Sequence, residues 1–272
     1  MKKKKKNRSK GTYTTVILFA AAVLLLLGSV AGSSQAALTY YSENYSAELR
    51  TFDIGVTLVE NGNEVSWRNY TQKDDEWYEG GGTLLSNMLY RGPDGEQEAL
   101  QLNRKYNENL CVKNSGNIDE YVRVTIYRYW VEEETKADGT PVPLEERKKL
   151  TGISPEWIDL DPWDEKNSSA SYNGWVLDSS ASTNERIVLY YTGVLGTGKT
   201  TPSFTDKLSI DRAVEEAIRK TDAGGKITHD NVEFVLEVDV DAVQTHNAVD
   251  AIKSAWGVDV TVDADGSLTL RR

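Results

Sequence analysis

The sequence is short of cysteine, histidine and long apolar runs. Cys111 is the only cysteine, so no disulfide can form within the chain. A zinc site would need carboxylates besides the two histidines, His229 and His246. The longest apolar stretch, residues 13–27, is roughly 15 residues, fewer than the ~20 of a membrane-spanning helix. These shortages argue against a disulfide scaffold and a histidine-rich metal centre, and they disfavour a membrane anchor.

The first 36 residues have the three parts of a secretory signal. A basic end (residues 2–10) precedes the apolar stretch, and a small, polar exit follows it. Ser34 and Ala36 place small residues at the two positions that a signal peptidase reads. We therefore predict cleavage after Ala36, with Ala37 as the near alternative. The protein is then expected to be secreted, and it meets the membrane only before cleavage.

Removal of residues 1–36 makes the chain strongly acidic. The full sequence has a net charge of −11, and the segment removed carries seven Lys or Arg and no Asp or Glu. The remainder has 24 basic and 42 acidic residues, a net charge of −18. Such a surface repels phosphate backbones, so we predict neither nucleic acid nor an anionic membrane as a partner.

Short alternating segments predict an all-β fold. Residues 51–60 and 64–67 flank Asn61-Gly62, the residue pair that favours a tight hairpin. Residues 120–131, 186–192 and 232–240 alternate apolar and polar side chains, as half-buried strands do. We predict an antiparallel β-sandwich of jelly-roll type, and place Cys111 in its core as a small buried residue.

Helices are expected to be few. The spacing of apolar residues predicts short helices at 211–220 and 247–256, the second ending at Gly257, and a last hairpin over 258–270. The polar segments near 70–106 and 132–172 are interpreted as long loop insertions. No linker divides residues 51–272, which are therefore predicted to form a single domain.

One motif imitates a nucleotide-binding loop. Residues 193–200 fit G-x-x-x-x-G-K-[ST] at every fixed position. A phosphate-binding loop needs a helix that starts at the lysine, whereas Pro202 disfavours helical geometry at Thr201. We interpret the motif as a turn between strands and predict no nucleotide and no other cofactor.

Other candidate sites are better explained without a ligand. Asp263 and Asp265 resemble part of a calcium loop, but a hairpin turn is favoured because Thr261 stands at the first ligand position. No nucleophile elbow is present, so no catalytic residue is assigned. An acidic row on one strand could bind calcium, although a solvated face that deters edge pairing is favoured. The row comprises Glu233, Glu237, Asp239 and Asp241.

The seven tryptophans have two interpretations. Scattered between Trp67 and Trp256, they are expected mainly to fill the core of the sandwich. The alternative is a sugar-binding surface on which aromatic faces stack against sugar rings. Three tryptophans in predicted loops would then bind glycan: Trp77, Trp157 and Trp163.

Four segments in order resemble one family. They comprise the exit of the signal with the first strand (37–58), the Asn-x-Gly-x-x-x-x-Tyr-Val-Arg-Val stretch (112–126), the Tyr-Tyr and Gly-x-x-Thr turn (190–204) and a C-terminal Gln with Ala-Trp (243–257). Together with the signal type, they resemble the TasA/camelysin proteins. The likeness covers most of the chain after the signal, although the insertions and the helix at 211–220 depart from the family pattern.

The resemblance implies export through a SipW-type signal peptidase and a role as a subunit of biofilm matrix fibres. In such fibres the N-terminal strand of one subunit completes the sheet of the next. Residues 37–50 are the candidate donor strand here, and its apolar residues are Leu38, Tyr40, Tyr41, Tyr45 and Leu49. We therefore predict a non-enzymatic structural protein. A camelysin-like surface metalloendopeptidase and a carbohydrate-binding module are the alternatives.

Overall fold

The computed structural model describes residues 53–271, except 72–73, 86–87, 89, 92–95, 164–169, 222–226 and 230–231. Thr51–Arg272 forms one compact unit. The cleavage residues Ala36 and Ala37 and the candidate donor strand lie outside the described residues. No helix among the described residues has both the length and the apolar character needed to cross a membrane.

Antiparallel strands dominate the described chain. In order they are β1 (Ile54–Glu60), β2 (Asn63–Thr71), β3 (Glu76–Gly80), β4 (Tyr90–Arg91), β5 (Glu96–Gln97), β6 (Tyr106–Asn114), β7 (Glu120–Glu132), β8 (Ile158–Asp161), β9 (Ser171–Tyr172), β10 (Trp175–Leu177), β11 (Arg186–Tyr191), β12 (Thr205–Ile210), β13 (Arg219–Thr221), β14 (Ile227–His229), β15 (Val232–Gln244), β16 (Val260–Val262) and β17 (Leu268–Leu270). The helices are α1 (Val214–Ile218) and α2 (Ala248–Trp256), with 3-10 turns at Leu144–Glu146 and Pro155–Trp157.

Two sheets pack face to face. Sheet 1 has the strand order β3-β2-β1-β6-β12-β8, and sheet 2 has the order β15-β7-β11-β10-β9. Pairs β4–β5, β13–β14 and β16–β17 stand apart from them. The predicted antiparallel β-sandwich with few helices is therefore confirmed. Its jelly-roll connectivity stays a prediction.

The alternation seen in the sequence builds the core. Val122, Val124 and Ile126 of β7 are completely buried between the sheets. The intervening residues of β7 face the other side of sheet 2, where α2 and β16–β17 form a second apolar cluster around Ile252. The hairpin between β1 and β2 turns at Asn61 and Gly62, whose φ values of 48° and 88° give the positive-φ turn that this pair favours.

Several local predictions need correction. The segments interpreted as insertions also contain strands: β3 and β8 are the two edge strands of sheet 1, and Ile158 and Leu160 of β8 are buried. Helix α1 ends at Ile218, and the residues after it form β13 instead of a further helical turn. Cys111 is only half-buried, because Leu110 and Val112 take the inward positions of β6. Burial raises the pKa of its thiol.

Candidate functional site

Among the described residues, β15 is the longest edge strand of the two sheets. All 13 residues of β15 pair with β7, and among the described residues no other strand pairs with β15. Sheet 1 extends further on this side, because β1 lies against β15 and is followed outward by β2 and β3. A sheet edge whose amide and carbonyl groups have no strand partner is a template for the addition of another strand.

A groove runs along this edge. We call it the edge groove; its volume is about 1360 Å³, and β15 and sheet 1 form its sides. Residues 81–85, which we call the wall segment, continue the sheet 1 side after β3. Apolar side chains from all three parts line it: Val56, Leu58, Leu84, Leu85, Met88, Phe234, Leu236, Val238 and Val240. The groove therefore offers both free backbone groups and an apolar surface.

Ion pairs cross the groove near one end of β15. Arg68 of β2 pairs with one carboxylate oxygen of Asp241, and Arg123 of β7 binds the other oxygen through Nε at 3.1 Å. The Arg68 guanidinium also pairs with Glu79 at 2.8 Å and lies 4.7 Å from the ring centre of Trp77. These contacts fasten sheet 1 to sheet 2 by charge.

The other end of β15 has a similar clamp. Arg147, just after a 3-10 turn, pairs with Glu233. Between the two clamps, Glu237 accepts a hydrogen bond from the Tyr129 hydroxyl at 3.0 Å, and burial together with that bond raises the pKa of Tyr129 to about 12. Burial, followed by the charges of Asp241 and Glu237, raises the pKa of Asp239. The acidic row thus accompanies the open edge from end to end.

This acidic row is mostly the solvated face that the sequence favoured. Glu233, Glu237 and Asp239 are exposed, whereas Asp241 is half-buried between its two arginines. Within the described residues, no three Asp, Glu, His or Cys side chains are grouped closely enough to hold a metal ion. His246 is exposed, and of His229 only the backbone, in β14, is described.

A buried carboxyl group supports the wall segment. Glu60, at the end of β1, accepts the amide of Leu85 at 2.6 Å. Leu85 has a φ of 63°, a left-handed conformation that costs a leucine roughly 1–2 kcal/mol. Glu108 of β6 points to the same inner face as Glu60 and is fully buried. Burial, and next the charge of Glu60, raises the pKa of Glu108 to about 9.

A second buried glutamate lies away from the groove. Glu120, at the start of β7, is fully buried and accepts the amide of Gly55 at 2.7 Å. Burial raises its pKa to about 8, although the bond from Gly55 acts in the opposite direction. This contact fixes the start of β1, the point from which the chain leads back toward residues 37–50.

The tryptophans divide between core and surface. Trp130, Trp163 and Trp175 are buried, as the core interpretation predicts. Trp157 is half-buried, and Trp67 and Trp77 are 48% and 41% exposed on the hairpin of β2 and β3. Of the three tryptophans proposed for glycan binding, only Trp77 is strongly exposed, so the structure does not bring that set together.

Two look-alike motifs are turns. Residues 193–200 connect β11 to β12 without a helix, and Gly198 takes the φ of 70° that the turn requires. Asp265 accepts the amide of Ser267 at 3.0 Å within the turn between β16 and β17, and that bond lowers its pKa. Both motifs are therefore hairpin or loop geometry, as expected.

Sequence reasoning missed the inward glutamates and the role of Arg68. Glu108 occupies an inward position in the alternation of Tyr106, Leu110 and Val112, so a charged residue in a buried register was the available signal. Nothing local to Arg68 marks its partner, because Asp241 lies 173 residues away in the chain.

No family model, curated protein or solved structure matches this chain. The resemblance to TasA/camelysin proteins therefore rests on the sequence motifs alone.

Proposed function

We propose that this protein is an exported structural subunit that assembles by strand addition. Residues 37–50 of one copy would pair with the open edge of β15 in the next copy and lay their apolar side chains in the edge groove. The product would be a TasA-like matrix fibre in which each subunit is both donor and acceptor.

The open edge at β15 is the observation that carries this proposal. Its 13 residues span about 43 Å at ~3.3 Å per residue, and the 14 residues of the donor segment span about 46 Å when extended. The two lengths therefore match. In the donor, Tyr41, Tyr45 and Leu49 share one face because they are separated by even numbers of residues.

The chemistry of strand addition fits the lining of the groove. Main-chain hydrogen bonds to β15 would supply affinity, and alternate side chains in apolar pockets would supply selectivity. The acidic row would oppose pairing between two copies of β15, because like charges would face each other, whereas the donor segment carries only two glutamates and one arginine. Tyr41, Tyr45 and Leu49 would pack along the apolar lining of the groove, where Phe234 and Val238 of β15 are half-buried. The chain enters the sandwich from the donor segment at Asp53, whose amide donates to the Asn117 side chain at 2.9 Å. This hydrogen bond fixes the sandwich end of the connection.

The test compares protein that begins at Ala37 with protein that begins at Thr51, by sedimentation velocity and electron microscopy. We expect the first to form large species and the second to stay monomeric. A synthetic peptide of residues 37–50 should bind the shorter protein and stop the longer one from assembling, whereas a peptide of the same composition in scrambled order should do neither. Monomeric longer protein at high concentration, or assembly of the shorter one, would contradict the proposal.

A second function, glycan binding, is favoured by two exposed aromatic side chains, Trp67 and Tyr78, on one face of the strand pair β2–β3. The Trp67 ring lies directly over Gly80, where an added Cβ would come within 2.1 Å of a ring atom. Tyr78, two residues before Gly80 on the same face of β3, is 45% exposed. Aromatic faces of this kind stack on the apolar faces of sugar rings, and the acidic chain favours a neutral polysaccharide.

This second function predicts that Trp67→Ala weakens binding to an insoluble neutral polysaccharide at least tenfold in a pull-down assay. Trp157→Ala serves as the control, because Trp157 is half-buried and lies outside this hairpin. Equal loss in both variants, or retention in both, would remove the glycan function and leave strand addition unaffected.

A further inference from the structure

Glu108 is a buried ionisable residue whose carboxyl oxygens accept no hydrogen bond from any described residue. It is fully buried between the sheets, and neither of its carboxyl oxygens receives a hydrogen bond within the described part of the chain. An unpaired buried carboxylate is costly, so such a group demands an explanation. A carboxyl group can escape that cost by keeping its proton and donating it to a nearby acceptor.

Glu60 is that nearby acceptor. Glu60 pairs in register with Leu110, so Glu108 is its diagonal neighbour on the same inner face of β1 and β6. Side chains in this diagonal relation are within reach when they are long. Glu60 also accepts the Leu85 amide, so one carboxyl pair connects the core of the sandwich to the wall segment.

We propose that Glu108 and Glu60 share one proton and that this pair is a latch holding the wall segment against the edge groove. In the closed state, the Glu108 carboxyl donates its O–H to the Glu60 carboxylate, which still accepts the Leu85 amide. When a base in solution removes that proton, two carboxylates face each other in a buried site. Their repulsion separates them, and Leu85 is freed from its left-handed conformation.

The surroundings of the pair support a proton-linked latch. Among the described residues, Glu60 is the charged group that acts on Glu108, and the Asn61 side chain at the adjacent turn weakly favours its ionised form. Within the described part of the chain no arginine or lysine acts on Glu108, so no described side chain neutralises a second negative charge there. The raised pKa of Glu108, about 9, agrees with a proton that is retained at neutral pH.

This inference concerns regulation of the groove and rests on the proposed strand addition. Leu84 and Leu85 line the groove from the wall segment, so an incoming strand meets them directly. An open latch would let the wall segment adapt to the donor, and assembly would then accelerate at alkaline pH.

Hydrogen exchange in the full chain tests the latch itself. After division by the intrinsic exchange rate at each pH, protection of the Leu85 amide should fall at least tenfold between pH 7.5 and 10. Glu108→Gln should abolish that fall, because glutamine stays neutral and can still donate to Glu60. Glu60→Gln provides a second variant: it also removes the repulsion, so protection should again be independent of pH.

Glu120→Gln is the matched control, since Glu120 is equally buried but lies at the start of β7, where it accepts the amide of Gly55 and does not contact the wall segment. It should leave the transition at Leu85 unchanged. Constant protection in the native protein, or the same fall in Glu108→Gln, would overturn the latch. The hydrogen-exchange measurements do not require fibres. If protection of the Leu85 amide depends on pH as expected but the protein never assembles, the proposed function alone is refuted. If that protection depends on pH but assembly does not, the regulation is refuted.

Discussion

The two lateral sides of this sandwich are joined by different chemistry. On the side of β10, Trp175 of sheet 2 donates its indole N–H to Pro202 O at 2.9 Å and meets Phe204, just before β12 of sheet 1, edge to face with ring centres 5.3 Å apart. On the side of β15, the sheets are joined by the Arg68–Asp241 ion pair, and the edge groove lies between them.

This difference indicates which side of the sandwich can open to accept an added strand. A buried indole combines a large apolar contact with one satisfied hydrogen bond, so the side of β10 gains stability from being permanently closed. The ion pairs on the side of β15 contribute less than such an indole, about 1–2 kcal/mol for the part-buried Asp241 and less for the exposed Glu79. The side of β15 can therefore open without loss of the fold, which is what an acceptor of an added strand requires.

The largest expected effect comes from breaking the closed side. Trp175→Ala should lower the free energy of unfolding by about 3–5 kcal/mol, because it removes a fully buried indole and leaves a cavity. Urea unfolding followed by circular dichroism measures it. Trp175→Phe, which keeps a ring but loses the N–H to Pro202, should cost less. A cost below 1 kcal/mol for the alanine variant would mean that the two sides do not differ as argued.

Measured per pH unit, the pH dependence of stability comes next in size. The pKa of Glu108 rises from 4.5 in the unfolded chain to about 9 in the folded one, so the folded state holds a proton that the unfolded state has lost between these values. Stability should therefore fall as pH rises through this window, by at most about 1.4 kcal/mol per unit, and level off above it.

The second buried glutamate contributes to the same slope. Glu120, whose pKa is raised to about 8, adds a slope of the same sign over an overlapping pH range, so substitution separates the two groups. Glu108→Gln should reduce the slope in urea titrations more than Glu120→Gln does, because the pKa of Glu108 is raised further. If Glu120→Gln alone flattened it, the assignment of the two groups would be reversed.

The ion pairs of Asp241 with Arg68 and Arg123 should contribute less to stability than Trp175 or the buried glutamates do. Asp241→Asn leaves Arg68 and Arg123 without their shared carboxylate, at an expected cost of about 1–2 kcal/mol, since the Asp241 side chain is only 14% exposed. Glu79→Gln removes the other partner of Arg68, which is 61% exposed, and should cost less than about 0.5 kcal/mol. Urea midpoints at low and high salt distinguish them, and equal costs would contradict the idea that Asp241 fastens the two sheets.

Local pattern predicted much of this fold but little of its candidate site. The hairpin at Asn61-Gly62, the strand around Val124 and the stop of α2 at Gly257 each follow from residues close in sequence. Strand β8 was missed because four residues, Ile158-Asp-Leu-Asp161, give too short an alternation within a polar segment. The acidic row was found on β15, yet which edge stays open depends on sheet order, which no local pattern carries.

The site also depends on pairs far apart in the chain. Glu60 and Glu108 meet because β1 and β6 are neighbours, and Arg68 meets Asp241 because β2 lies beside the open edge. Taken singly in the sequence, none of these four residues can be told apart from an ordinary surface charge. The register between β1 and β6 places Glu108 in the core beside Glu60, and Glu60 in turn binds the wall segment through the Leu85 amide.

The smallest expected effect concerns the aromatic surface beside the groove. Gly80→Ala would place a Cβ within 2.1 Å of the Trp67 ring, so the exposed indole must swing away. Because the ring is already 48% exposed, the stability cost should stay below about 1 kcal/mol, while Trp fluorescence shifts to the red. Gly81→Ala is the control, since nothing lies within 4 Å of its added Cβ. If Gly80→Ala left both fluorescence and polysaccharide binding unchanged, the flat position of Trp67 over Gly80 would serve neither packing nor recognition, and the difference between the two sides of the sandwich would rest on the edge groove alone.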